Sequence, residues 1–272
     1  VGTRSGLLEA AVLGGQPGTG GGASYSAEAL AIFAAFTTPP DTTRKGLIDT
    51  CVVALKTASI WTLLDVLYVF AAADSQAALI NWKNPGTFNG TLVNSPSFTT
   101  DVGFTGASTK YVDSTFNPST ASSPQFVQDS CSTGVWSNTS AAVANVAAGS
   151  KTISAKTFIY PRSSSTTFFG VGDGGSYSVS VSSSDGSGLF VANRPDVTHE
   201  QGYRNGSLVA SDSPVNSTVV QNSTLAFLAG DNTTNWAGQA LAGTISASLD
   251  STKQASLYSA LHAYLQTVAG IA

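Results

Sequence analysis

The sequence predicts a mainly β protein: a β-sandwich over residues 97–249, led in by helices and closed by a C-terminal helix. Three observations carry that expectation. Short apolar runs follow one another at close spacing from Phe98 onward, with no helical pattern between them. Asn205-Gly206, flanked by Tyr203 and Leu208-Val209, has the two positive-φ residues that a type I′ hairpin requires. Apolar residues recur at helical spacing before residue 84 and again after residue 250.

In order along the chain, residues 1–24 hold Gly14-Gly15, Gly18 and Gly20-Gly21-Gly22 and are expected to be a flexible linker. Its one apolar patch, Leu7, Leu8, Val12 and Leu13, has helical spacing and is expected to dock on a neighbouring subunit. Residues 25–84 read as a helical subdomain. Ser26 caps a helix carrying Leu30, Phe33 and Phe36, which Pro39-Pro40 ends. Asp41 or Thr42 opens the next, whose apolar face is Leu47, Ile48, Cys51, Val52 and Leu55. Ile60–Ala73, broken by Asp65, is too short to span a bilayer and reads as buried helix. Asp74 caps a short last helix.

Residues 85–272 form the expected sandwich and its closing helix. Tyr177, Val179 and Val181 alternate with serines in the period of a half-buried strand. Asp185-Gly186 is read as a hairpin before Leu189-Phe190-Val191. Ser251 and Gln254 stand at capping-box spacing, Leu257, Leu261, Tyr264, Leu265 and Val268 make one face, and Gly270 ends the helix.

Composition excludes several functions. Charged residues are 10% of the chain, against about 25% in an average domain, so the surface is neutral and rich in hydroxyls. A net charge of −4 gives no basic footprint for nucleic acid, and no apolar run is long enough for membrane insertion. No charged region leads from Val1 into an apolar stretch, so no signal peptide is expected there. With no methionine in the chain, the expectation is that it begins after processing or that further residues precede Val1. Cys51 and Cys131 either pair or are buried as small hydrophobes.

Two stretches resemble known families. Gly202-Tyr203-Arg204-Asn205-Gly206-Ser207-Leu208-Val209, then Leu225-Ala226-Phe227-Leu228-Ala229-Gly230, then Gly243-Thr244-Ile245, resemble the second half of laminin-G-like and concanavalin A-like jelly rolls. Ala229 departs from the pattern, standing where a larger residue is common. The resemblance implies a concanavalin A-like sandwich. The second likeness is to bacteriophage virion proteins. Tyr25–Leu30, Arg44–Ile48 and Trp61–Asp65 resemble their helical lead-in; Leu79–Lys83, Phe98–Gly106 and Tyr111–Pro118 resemble the passage into their lectin-like domain. Together these span most of residues 25–265. The likeness implies a fibre, spike or decoration subunit on the virion surface, with other virion proteins as partners and a homotrimer as the expected assembly.

No catalytic motif stands out, and no enzyme is expected. Sandwich glycosidases of the concanavalin A class usually carry Glu-x-Asp-x-(x)-Glu on one strand; Glu9, Glu28 and Glu200, the three glutamates here, form no such pattern. Asp196 and Glu200 are the remaining candidate carboxylate pair, with solvated loop charges as the alternative reading. His199 and His262 have no third metal ligand nearby in sequence, and no Gly-x-Ser-x-Gly elbow occurs. Gly170–Gly175 lacks the helix that a phosphate loop needs and reads as a β-turn. No cofactor is expected; the weak calcium candidate is Asp173, with Asn193, Asp185 or Asp231. Asn-x-Ser/Thr triplets at Asn89, Asn138, Asn205, Asn216, Asn222 and Asn232 are what chance gives in a chain this rich in these residues.

For a glycan, the useful groups are exposed aromatic rings beside planar amides and carboxylates. Asp231, Asn232, Asn235 and Trp236 make the best such stretch, with Tyr203-Arg204 and Tyr160–Arg162 behind it. The competing reading has Trp236 packed under its own loop and Tyr203 half-buried at its hairpin. The expected task is adhesion to host-surface polysaccharide; an architectural decoration subunit without a ligand is the alternative, and a polysaccharide-cleaving enzyme the third.

Overall fold

The computed structural model describes residues 24–150, 157–172, 179–230 and 235–272. Helix α1 (Ala27–Ala35) is capped by the Ser26 hydroxyl, which also donates to Asp49 at 2.6 Å. Helix α2 (Thr42–Thr57) is capped by Asp41, whose carboxylate accepts from the Arg44 N–H at 2.7 Å.

The segment after Ile60 is not a helix. One 3₁₀ turn, Trp61–Leu63, leads into strand β1 (Leu64–Val69). A continuous apolar run fits a buried helix or a strand covered on both faces; a vacant edge decides for the strand, because β1 pairs antiparallel with Leu64 opposite Ser246 and Val69 opposite Ala242. Asp65, the apparent interruption, accepts the N–H groups of Gln125 and Phe126, both at 2.8 Å. Residues 25–84 therefore supply a strand to the sandwich as well as helices. A short helix, α3 (Ser75–Ala78), follows, capped by Asp74 at 2.8 Å.

The remaining strands are β2 (Thr91–Val93), β3 (Ser97–Thr99), β4 (Gly103–Thr105), β5 (Tyr111–Asp113), β6 (Cys131–Ser137) and β7 (Ala148–Ser150). They continue as β8 (Phe158–Ser163), β9 (Thr166–Gly170), β10 (Val179–Ser182), β11 (Gly188–Arg194) and β12 (Glu200–Arg204). Last come β13 (Ser207–Asp212), β14 (Leu225–Phe227), β15 (Gln239–Ser246) and helix α4 (Ser251–Ala269).

Two antiparallel sheets face each other. One runs β13-β12-β11-β6-β15-β4-β3, with β1 on the free part of β15; the other runs β10-β9-β8-β7-β14-β5-β2. Asn205 and Gly206 have φ of 50° and 77°, and they join β12 to β13 as the expected hairpin. Asp185-Gly186 makes no hairpin: β10 pairs with β9 in one sheet and β11 with β6 and β12 in the other, so the chain crosses between layers there. Of the alternating strand ending at Val181, Tyr177 lies outside the described residues; Val179 is buried and Ser180 exposed.

The core lies between the sheets and carries an aromatic cluster in which Tyr68, Phe70, Phe104 and Phe227 meet with ring centroids 5.5–5.7 Å apart. The sheets approach closely because glycine stands where rings press on backbone: a Cβ at Gly202 would lie 2.3 Å from the Phe169 ring, and one at Gly243 2.4 Å from Phe227. Helix α4 lays Leu257, Leu261, Tyr264 and Leu265 against the protein. Its cap is Asp250, accepting from the Lys253 N–H at 2.9 Å, rather than Ser251. Gln254, the expected capping-box partner, is instead buried. Gly270 ends the helix at φ 65°. Cys51 and Cys131 are both buried free thiols, one in α2 and one in β6. Burial pushes the Cys51 thiol up to about 12 and raises that of Cys131 as well. Among the described residues no helix is long and apolar enough to cross a membrane.

Candidate functional site

The expected glycan residues do not come together. Trp236 is 1% exposed, its ring packed against Gly238, where a Cβ would sit 2.2 Å from the indole. The indole therefore offers no stacking platform. Asn235 is buried beside it, and its carbonyl accepts from Asn145. Asp231 and Asn232 lie outside the described residues, as does Asp173. Tyr203 is also buried, its hydroxyl 3.1 Å from Gln201 Oε1. Alternation on β12 turns Tyr203 and Arg204 to opposite faces, so a shared Tyr203-Arg204 site is not formed. Tyr160 is half-buried, edge-on to Phe158 and Phe168.

The other candidates resolve locally. Glu200 is wholly buried near Arg194, 3.9 Å from its guanidinium, and accepts the Val171 N–H. Asp196 is at the surface, where the Thr198 N–H and the His199 ring hold its carboxyl down at about 2. One is sealed in protein and the other solvated, so they form no carboxylate pair in a groove. Asn193 is buried and bonded to Gln201 and to the Leu249 N–H, which takes it out of any calcium site. Among the described residues no three His, Cys, Asp or Glu side chains are grouped to hold a metal.

Arg204 leads to a different place. Its guanidinium lies 5.3 Å over the Phe190 ring and donates to Asp185 at 2.6 Å and to the Ser187 carbonyl at 2.9 Å. Asp185 and Ser187, at the crossing between the sheets, line a hollow of about 200 Å³ together with Asn138, Asn205, Trp136 and Tyr258. Each arrives by its own element. Asn138 follows the last residue of β6, Asn205 is the first turn residue of the hairpin, and Tyr258 projects from α4. Tyr258 is partly exposed and stacks on Trp136. His262, one turn on, joins the same stack, its centroid 5.2 Å from that of Tyr258. Burial pulls the Asp185 carboxyl up, but the Ser187 N–H and hydroxyl and the Arg204 guanidinium outweigh it and leave the group below its ordinary value.

The hollow thus offers an aromatic ring, two amides and a carboxylate fixed by an arginine. That set suits a neutral polyhydroxylated ligand: C–H groups on the ring, hydroxyls on the amides and carboxylate. Of the expected glycan residues only Arg204 bears on it, through its bond to Asp185 rather than as part of the lining. Asn138 and Tyr258 were missed as ligand residues, and Asp185 was considered only for calcium, because separate elements bring them together. The one available signal was Tyr258 and His262 at i, i+4, off the Leu257/Leu261 face.

No family model matches the chain, and no curated protein matches it. Solved structures do. The binding domain of botulinum neurotoxin DC in complex with SialylT superposes with a TM-score of 0.52 at 12% identity, covering 74% of this chain and 52% of that one. The receptor-binding domain of botulinum neurotoxin D gives 0.51 at 13%, covering 74% and 53%. Botulinum neurotoxin type C, which depends on two ganglioside molecules to get into cells, gives 0.53 at 13%, covering 75% and 53%. The fold is concanavalin A-like. The chain spans about half the length of these structures, and at such identities the likeness is one of fold.

Proposed function

We propose that this chain is a glycan-binding module that attaches a phage particle to host-surface polysaccharide. The observation that carries the reading is the hollow at Tyr258, with Asp185, Asn138 and Asn205 around the ring and Arg204 behind the carboxylate. The fold supports it, since structures of the same architecture are solved with SialylT or depend on gangliosides. The virion setting, and with it a surface location, virion partners and a trimeric assembly, draws on the resemblance of residues 25–265 to phage virion proteins. Binding without cleavage is the reading because Glu200 is countered by Arg194 and Asp196 by His199. A purely architectural role is the second reading, favoured by the burial of Trp236 and Tyr203.

The test is binding of the purified chain to a panel of bacterial surface polysaccharides, with Tyr258→Ala, Asp185→Asn and Tyr160→Ala beside the wild type. Saturable binding lost in the first two and kept in Tyr160→Ala supports an adhesin with its site at the hollow. Binding that survives Tyr258→Ala moves the site elsewhere. No binding across the panel, with folded protein, favours the architectural role.

A further inference from the structure

Most polar atoms around the hollow at Tyr258 are already committed to the protein. Asn205 is held to Leu189 twice: its main-chain N–H donates to the Leu189 carbonyl at 2.8 Å, and its Oδ1 accepts the Leu189 N–H at 2.9 Å. A main-chain N–H only donates, so Oδ1 is the fixed end of the amide and the Nδ2 donor is left over. Gly188 permits this bond, since a Cβ there would lie 2.4 Å from Asn205 Oδ1. Asn138 is committed the other way round. Its Nδ2 donates to Gln239 Oε1 at 2.9 Å, while Gln239 Nε2 donates to Thr105 Oγ1 at 3.2 Å. The Oδ1 acceptor of Asn138 is then left over. Neither remaining end has a partner among the described residues. Asp185 accepts from the Ser187 N–H and hydroxyl and from the Arg204 guanidinium, so both of its oxygens are engaged and its charge is paired.

What remains is one donor, one acceptor and an apolar wall. The sheet order β12-β11-β6 sets Asn205 and Asn138 on either side of the start of β11. Their main chains are two strand spacings apart, about 10 Å, which the side chains narrow. The apolar wall comes from beyond α4. Gly270 turns the chain at φ 65°, His262 Nε2 donates to the Ala272 oxygen at 3.0 Å, and half-buried Ile271 lines the hollow.

We propose that the hollow recognises the acetamido group of an N-acetylated amino sugar, its carbonyl accepting from Asn205, its N–H donating to Asn138, and its methyl lying on Ile271 and the Tyr258 ring. This rests on the glycan-binding reading and narrows it to a class of sugar. A secondary amide carries its acceptor and its donor on opposite edges of one rigid plane. With a hydrogen bond of about 2.9 Å at each end it bridges about 8 Å. A single hydroxyl bridges only about 6 Å. Two neighbouring hydroxyls reach both asparagines but leave the Ile271 wall in water. A free amine, charged at neutral pH, has donors only; it sets N–H against N–H at Asn205 and finds no unpaired carboxylate to hold it.

The probes are the methyl glycosides of N-acetylglucosamine and N-acetylgalactosamine, set against those of glucose, galactose and glucosamine, with the full chain in ligand-observed NMR. The acetamido sugars should bind about tenfold more tightly than the hexoses, the gain that one methyl group and one hydrogen bond give. Their acetyl methyl protons should receive the strongest saturation, and glucosamine should bind no better than glucose. Asn205→Asp keeps an oxygen for the Leu189 N–H and exchanges the remaining donor for an acceptor, so in protein of unchanged melting temperature the preference for acetamido sugars should disappear. Ile271→Ala should weaken saturation of the acetyl methyl. Equal affinity for hexose and acetamido sugar overturns the proposal and leaves the glycan reading standing, as does binding confined to polysaccharides without N-acetylated sugars. A preference that survives Asn205→Asp overturns it too. If neither these glycosides nor any polysaccharide binds, the glycan reading falls and this proposal with it.

Discussion

The Tyr258 ring on α4 lies parallel to the Trp136 ring on β6, with 9° between the planes and 5.5 Å between centroids. One face of Tyr258 is thus spent on holding the closing helix to the sheet, while the residue also lines the hollow. The two roles separate by substitution. Tyr258→Phe keeps the stack and should leave stability within about 0.5 kcal/mol. Tyr258→Ala should cost at least the roughly 0.5–1.5 kcal/mol that such a ring pair is worth, read as a lower urea midpoint. For polysaccharide binding, Tyr258→Ala should abolish it and Tyr258→Phe weaken it only in part.

The carboxylate in the hollow sets the pH range of binding. The Asp185 carboxyl is below its ordinary value in the folded chain, so its charge and its bond to Arg204 are present above the unfolded carboxylate's value, near pH 4. They are lost as pH falls through the lower, folded value. Binding measured from pH 8 downward should stay level to about pH 4 and decline below it, and Asp185→Asn should bind weakly with no such step. A fall between pH 7 and 6 would instead point to a histidine as the controlling group.

Local signals were legible before the structure. Ser26, Asp41, Asp74 and Gly270 are caps because short side chains and glycine satisfy helix ends without help from elsewhere. The Asn205-Gly206 turn depends on two residues alone. What misled depended on distant partners. Leu64–Val69 is a strand because β15 has a free edge, and Asp185-Gly186 changes sheets because β11 finds β6 rather than β10. The hollow belongs to the second kind: Asn138 and Tyr258 lie 120 residues apart in sequence and meet only through packing.

Arg194 and Glu200 form a pair wholly removed from solvent. Arg194 also donates to the carbonyls of Val171 and Val215, both at 2.8 Å. Removing one charge leaves the other buried and uncompensated, at a cost of about 3–5 kcal/mol. Arg194→Met should therefore be severely destabilised in urea unfolding. Arg194→Met with Glu200→Gln should recover part of that loss, giving a favourable coupling in the double-mutant cycle. Additive losses would mean that the two side chains contribute through their backbone partners alone.

Two glycines give opposite outcomes for the same substitution. At Gly202 on β12, a methyl group would sit 2.3 Å from the Phe169 ring, which belongs to the facing sheet and is itself buried. The ring has no room to retreat, so Gly202→Ala should cost about 1–3 kcal/mol through forced shifts of the two layers. At Gly46, inside α2, a methyl group meets nothing within 4 Å. There the helix gains what glycine forfeits in backbone entropy, so Gly46→Ala should stabilise by about 0.5–1 kcal/mol. Urea midpoints moving in opposite directions would establish that sheet-to-sheet contact, rather than backbone conformation, keeps glycine at position 202. If Gly202→Ala proved neutral, the layers would be farther apart in solution than the Phe169 contact requires.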